Sequence, residues 1–114
     1  MALALFAGIC VTDHDAAVAW YSKLFGAEPS FVAHPKESVW ELAEDRSVYV
    51  EEQPEHAGHA ELTVFVDDLD AFVTAASAQG IEPAETETYG NGVRKVTYED
   101  ADGNQIGFGG APLA

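Results

Sequence analysis

Positive charge is scarce in this chain. Five Lys and Arg stand against twenty Asp and Glu, a formal charge of -15 at pH 7. A nucleic-acid duplex or an anionic membrane face is recognised mainly by clustered Lys and Arg, so both would repel this surface; neither nucleic acid nor membrane is expected as a partner. Cysteine is scarcer still, with a single residue. Cys10 has no second cysteine to pair with, and one cysteine with four histidines cannot build a Cys-rich zinc site. No apolar run approaches the ~20 residues of a membrane span. The opening stretch, Met1 to Val11, is apolar, yet it has no basic segment and runs straight into Thr12-Asp13-His14-Asp15 without a convincing cleavage site. It reads as a buried strand rather than a signal peptide, and a cytoplasmic location is expected. A phosphate-cradling glycine loop is missing too. Gly107-Phe108-Gly109-Gly110 opens no helix, which leaves nucleotide binding without support.

What is present is enough for one compact domain. The 114 residues are 47% apolar and 22% charged, a composition that buries a core and is far from that of a disordered tail. The acid is spread over both halves, so there is no acidic tail to set aside.

The chain also reads twice. A strand-like run from Leu3 to Val11 leads through Thr12-Asp13 into an amphipathic stretch ending at Gly26, then Ala27-Glu28-Pro29 and three strand-like pieces. Glu61 to Val66 leads through Asp67-Asp68 into a second helical stretch ending at Gly80, then Ile81-Glu82-Pro83 and three more. Val11 matches Val66, Gly26 matches Gly80 and Pro29 matches Pro83, in the same order of elements. The unit is βαβββ, used twice, with module 1 over about 1–53, a linker over about 54–58 and module 2 over about 59–114.

Local chemistry supports each element. Asp13, and Asp67 or Asp68, can cap helix N-termini, where free amides and the positive dipole end favour a carboxylate. Ala17, Val18, Tyr21, Leu24 and Phe25 fall on one helical face, and Leu69, Phe72, Val73 and Ala76 on another. Gly26 and Gly80 sit where a left-handed C-cap is wanted. Glu44-Asp45-Arg46 and Asp100-Ala101-Asp102-Gly103-Asn104 read as hairpin turns, with a further turn at Tyr89-Gly90-Asn91-Gly92.

The Asp13 helix start followed by Trp20-Tyr21-Ser22-Lys23-Leu24-Phe25-Gly26, the stretch Val64-Phe65-Val66-Asp67-Asp68-Leu69, and the closing Asp102-Gly103-Asn104-Gln105-Ile106-Gly107-Phe108 resemble the vicinal oxygen chelate superfamily. That superfamily contains glyoxalase I, the bleomycin resistance proteins, fosfomycin resistance enzymes and extradiol dioxygenases, and the resemblance covers essentially the whole chain. It implies an α+β fold of two tandem βαβββ modules forming a curled, cup-shaped mixed sheet with the helices outside. It also implies metal-ligand positions at Phe6, Tyr49 (or Glu51 on the same strand face), Glu61 and Gly107. Phe and Gly offer no side-chain ligand atom and a neutral Tyr is a poor ligand, so no metal or other cofactor is expected there. A shifted site of His59, Glu61 and Glu51 is the competing reading, against exposed histidines at His56 and His59. His14 and His34 read as solvated.

A cup without metal keeps an aromatic floor of Phe6 and Tyr49, suited to a flat, hydrophobic or cationic molecule. Strand alternation puts Phe6, Gly8 and Cys10 on one face, and Glu61, Thr63 and Phe65 on another. Trp40 and Arg94 are taken as occupying matching places in the third strands. Pointing inward, Trp40 is a stacking wall and Arg94 a clamp; pointing outward, Trp40 packs beneath a helix. The expected ligand-binding set is Phe6, Cys10, Trp40, Tyr49, Glu61, Thr63, Phe65 and Arg94, with no catalytic residue. The alternatives are a collapsed core and catalysis with Glu61 as a general base of raised pKa. The resemblance also implies a homodimer. The function expected is metal-free binding of a small molecule, with antibiotic sequestration as one use; the alternative is a divalent-metal-dependent lyase, isomerase or dioxygenase of the same superfamily.

Overall fold

The computed structural model describes residues 2–113, so Met1 and Ala114, the ends of the expected domain, lie outside the described residues. Module 1 runs β1 (Leu5–Val11), α1 (His14–Phe25), β2 (Phe31–His34), β3 (Glu37–Ala43) and β4 (Arg46–Glu52). A short 3-10 turn at Pro54–His56 leads to β5 (Glu61–Phe65), α2 (Leu69–Ala78), β6 (Glu85–Thr88), β7 (Arg94–Glu99) and β8 (Gln105–Gly110). The repeat is therefore real, two βαβββ units in tandem. Each unit makes its own four-stranded mixed sheet, ordered β1-β4-β3-β2 and β5-β8-β7-β6. The first strand of each pairs parallel with the last, and the last pairs antiparallel with the third.

The caps do what their chemistry predicts. The Asp13 carboxylate accepts the Ala16 amide at 3.1 Å, and of the two candidates in module 2 it is Asp68 that accepts the Ala71 amide, at 3.0 Å. Gly26 ends α1 at φ 72°, a left-handed backbone that a side chain would strain.

Alternation along each strand separates two faces. Ile9, Val11, Val48, Val50 and Trp40 of the first sheet, with Val96, Tyr98, Ile106 and Phe108 of the second, join Tyr21, Leu24, Leu69 and Ala76 of the helices in one contiguous core. The helix sides of both sheets thus share one interior. The opposite face of each sheet is open.

The modules are clasped by the closing hairpin turn. Asn104, fully buried, donates from Nδ2 to the Cys10 carbonyl and to Asp100, while its Oδ1 accepts the Ala60 amide. Asp100 also accepts the Tyr21 hydroxyl at 2.6 Å, and Asp102 accepts both the amide and the hydroxyl of Thr12. The closing turn therefore meets both the end of β1 and α1 across the molecule, 79 to 94 residues away in sequence, with Asp100 linking Tyr21 to Asn104.

Candidate functional site

The open face of the first sheet carries Phe6, Gly8 and Cys10 from β1, and that of the second carries Glu61, Thr63 and Phe65 from β5; the partners of all six rows come from the neighbouring strands. Phe6 and Phe65 are 53% and 63% exposed, large apolar groups left uncovered by this chain. Tyr49 lies flat over β1: a Cβ placed on Gly8 would stand 2.5 Å from the phenol ring and hydroxyl, so the missing side chain at Gly8 is what admits the ring. Burial first, and then the negative charges of Glu51 and Glu37, push the Tyr49 hydroxyl up from its ordinary range, keeping it a neutral hydrogen-bond donor. The Cys10 thiol is raised by burial and by Glu51 and Glu55. A thiol held protonated is a poor nucleophile, so Cys10 contributes wall rather than attack.

Two expected residues face the other way. Trp40 is 2% exposed, stacks near Phe25 and Tyr21 of α1, and donates its indole N–H to the Ala27 carbonyl at 2.9 Å. It packs beneath the helix and is not a stacking wall. Arg94 reaches across the helix side to the Asp70 carboxylate at 2.7 Å in the first turn of α2, so it pins strand to helix rather than clamping a ligand. Nor do the two match. Trp40 pairs with Val48 and Tyr98 with Ile106, which makes Tyr98 the counterpart of Trp40. The hairpin register, unreadable from composition, decides both points.

Glu61 is exposed, so an apolar enclosure around its carboxylate is not built by this chain alone. The shifted metal site is not assembled. Glu51 belongs to one sheet, whereas His59 precedes and Glu61 opens the first strand of the other. Among the described residues the group whose donor atoms converge is His34, Glu37 and Glu51, all within 4.8 Å of one another. His34 is thus engaged rather than merely solvated: its Nε2 lies 3.3 Å from Glu51 and 3.5 Å from Glu37. A hydrogen bond shared with Glu51 raises the Glu37 carboxyl and lowers that of Glu51, to which Gln53 also donates. His14 departs from expectation as well. It is buried, its ring joining Ser38 of β3 at 2.8 Å and Asp15 at 3.0 Å. Neither role has a sequence signal, because each depends on a strand far along the chain.

On the second sheet the Lys95 stem lies over Gly107: a Cβ on Gly107 would meet Lys95 Cε at 2.5 Å and Thr63 Oγ1 at 3.2 Å. Lys95 makes no ion pair among the described residues, so its ammonium is free to face whatever enters this side. A separate apolar cleft of about 770 Å³ opens between the modules, lined by Ala7, Phe25, Leu62, Val64 and Phe72, with Phe65 at its edge.

Two βαβββ units, each with its own four-stranded mixed sheet and sharing one helical core, define the paired-module α+β class. The family model for the glyoxalase/bleomycin resistance protein/dioxygenase superfamily matches residues 3–108, and the chain belongs to that superfamily. It is similar to a glyoxalase/bleomycin resistance protein from Catenulispora acidiphila, at 57% identity and TM-score 0.94 over 97% of this chain and 100% of that one. A lactoylglutathione lyase from Agrobacterium tumefaciens shares the fold at 18% identity and TM-score 0.77, covering 97% of this chain and 95% of that one. So does a bleomycin-binding protein solved with bleomycin, at 18% identity and TM-score 0.76, covering 94% and 97%. No curated protein matches the chain significantly. The superfamily holds both enzymes and binding proteins. Among the described residues no helix is long and apolar enough to cross a membrane.

Proposed function

We propose that this chain is a small-molecule-binding protein whose central site is metal-free and holds a hydrophobic or cationic ligand against the aromatic open faces, with antibiotic sequestration as its use. The observation that supports this reading is the donor set at the positions where metal-using relatives carry ligands. Phe6, Tyr49, Glu61 and Gly107 supply one carboxylate between them, and the space above Gly107 is taken by a lysine stem. One carboxylate does not hold a divalent ion. The same surfaces suit a flat cation: Phe6 and Tyr49 offer ring faces, and Glu37 and Glu51 stand on the same side of the first sheet.

Each half-site is open to solvent in one chain, and β1 and β5 are edge strands with an unpaired side. A second copy covering these faces would enclose Glu61 and bury Phe6 and Phe65, which makes a homodimer part of the proposal. The binding test uses metal-free bleomycin as the probe with the full chain, Phe6→Ala and Glu61→Gln, followed by calorimetry. Loss of a ring contact or a charge partner is expected to weaken binding about fivefold in each variant, the equivalent of ~1 kcal/mol. Absence of binding by the unaltered chain, or equal affinities in all three proteins, would sink the proposed site.

A metal-dependent lyase, isomerase or dioxygenase is the second reading, kept because His34, Glu37 and Glu51 converge. A divalent metal released by His34→Ala or Glu51→Gln, together with lyase, isomerase or dioxygenase turnover that depends on it, would establish it and displace the first.

A further inference from the structure

The hairpin of β2 and β3 places a row of donor residues across the first sheet. A register shift between Val32 and His34 sets His34 opposite Glu37, Glu37 pairs with Glu51 of β4, and Glu51 pairs with Cys10 of β1. Three adjacent strands therefore present one imidazole and two carboxylates side by side at the rim of the open face. We infer that His34 Nε2, Glu37 and Glu51 form a binding site for a first-row divalent transition metal ion of the zinc or cobalt type, at the rim of the first sheet and set apart from Phe6, Tyr49, Glu61 and Gly107.

The repeat supplies an internal comparison. The same four places in the second sheet are Glu87, Lys95, Gly109 and Phe65, aligned by the equivalent pairings. The backbone is shared but the donors are not, so nothing in the fold requires two carboxylates to face each other at this point. Like charges directly opposite on neighbouring strands are unfavourable, and a dication between them removes the repulsion. An imidazole nitrogen with two carboxylate oxygens suits zinc, cobalt or manganese better than calcium or magnesium, which take oxygen alone. The three side chains are 49%, 21% and 20% exposed, leaving an entry path and open coordination positions for water.

The hydrogen bonds also say what loading must change. The Lys36 amide donates to His34 Nδ1 at 3.2 Å, so without metal the ring carries its proton on Nε2, between the carboxylates. On binding, Nε2 releases that proton to water and Nδ1 takes one up. The ring stays neutral, and the Lys36 amide loses its acceptor.

The test is titration of the full chain with Co²⁺, read by visible absorption, and with Zn²⁺, read by calorimetry and by the Lys36 amide resonance. One equivalent per chain is expected, with the Lys36 resonance shifting on loading. His34→Ala and Glu51→Gln should each weaken binding roughly tenfold or more, while His56→Ala and His59→Ala keep it. Both weakened variants alter exposed or half-exposed side chains, and circular dichroism checks that they fold. No binding, or binding that survives His34→Ala, overturns the site. Binding lost in Glu61→Gln instead overturns both this site and the metal-free centre, whereas failure of the bleomycin experiment alone leaves the rim site standing.

Discussion

Tyr21 illustrates how a motif residue can carry structure rather than chemistry. Its hydroxyl donates to Asp100 from inside the core, and burial, that hydrogen bond and the charges of Asp100 and Asp102 together push its ionisation far above the ordinary 10.0. A raised folded value means the neutral phenol is favoured in the native state, so its contribution is fully present below about pH 10 and is lost as pH rises beyond it. Stability measured by urea unfolding should accordingly be flat across the neutral range and fall above about pH 10. Tyr21→Phe should flatten part of that fall while lowering stability by about 1–2 kcal/mol at neutral pH, because Asp100 loses a donor. Cys10, Tyr49 and Tyr98 are raised in the same sense and contribute to the remaining slope. An unchanged alkaline slope in the variant would refute the assignment. The aromatic helix motif and the Asp-Gly-Asn turn were legible in the sequence as signs of a family. Their meeting through Tyr21, Asp100 and Asn104 was not, since nothing local in either segment points to the other.

At the scale of elements, strand alternation and capping were readable because both depend on residues within a turn or a pleat of each other. Ile9 and Val11 point inward while Phe6, Gly8 and Cys10 point outward, as period-two patterning requires. The facing of Trp40 and Arg94 depends on how one hairpin strand slides against the next, and a slip of one residue reverses every side chain. Linker conformation belongs to this scale too. Gly58 sits at φ +89°, and a Cβ there would collide with the Asp102 carbonyl, a backbone atom that cannot swing aside. Gly58→Ala combines a strained backbone with a steric clash against the clasp that joins the modules. We expect a loss of about 2–4 kcal/mol in urea unfolding, and a loss under about 0.5 kcal/mol would show that the clasp yields easily.

For the whole molecule, the question is what covers the two open faces. Sedimentation at micromolar concentration should give a homodimer, and Phe6→Glu, which puts a charge on an exposed face, should shift it toward monomer while leaving the helical core folded. A monomer in the unaltered chain would remove the enclosure on which the proposed binding site depends. The sequence by itself determined the doubled βαβββ plan, the helix ends and the family, because each is written in residue type and short-range spacing. Only the tertiary structure decided that His34, Glu37 and Glu51 converge, that Trp40 and Arg94 serve the helices, and that Lys95 lies over Gly107. Those are relations between strands brought together by long-range pairing, and the register that sets them comes from packing the whole core rather than from any one segment.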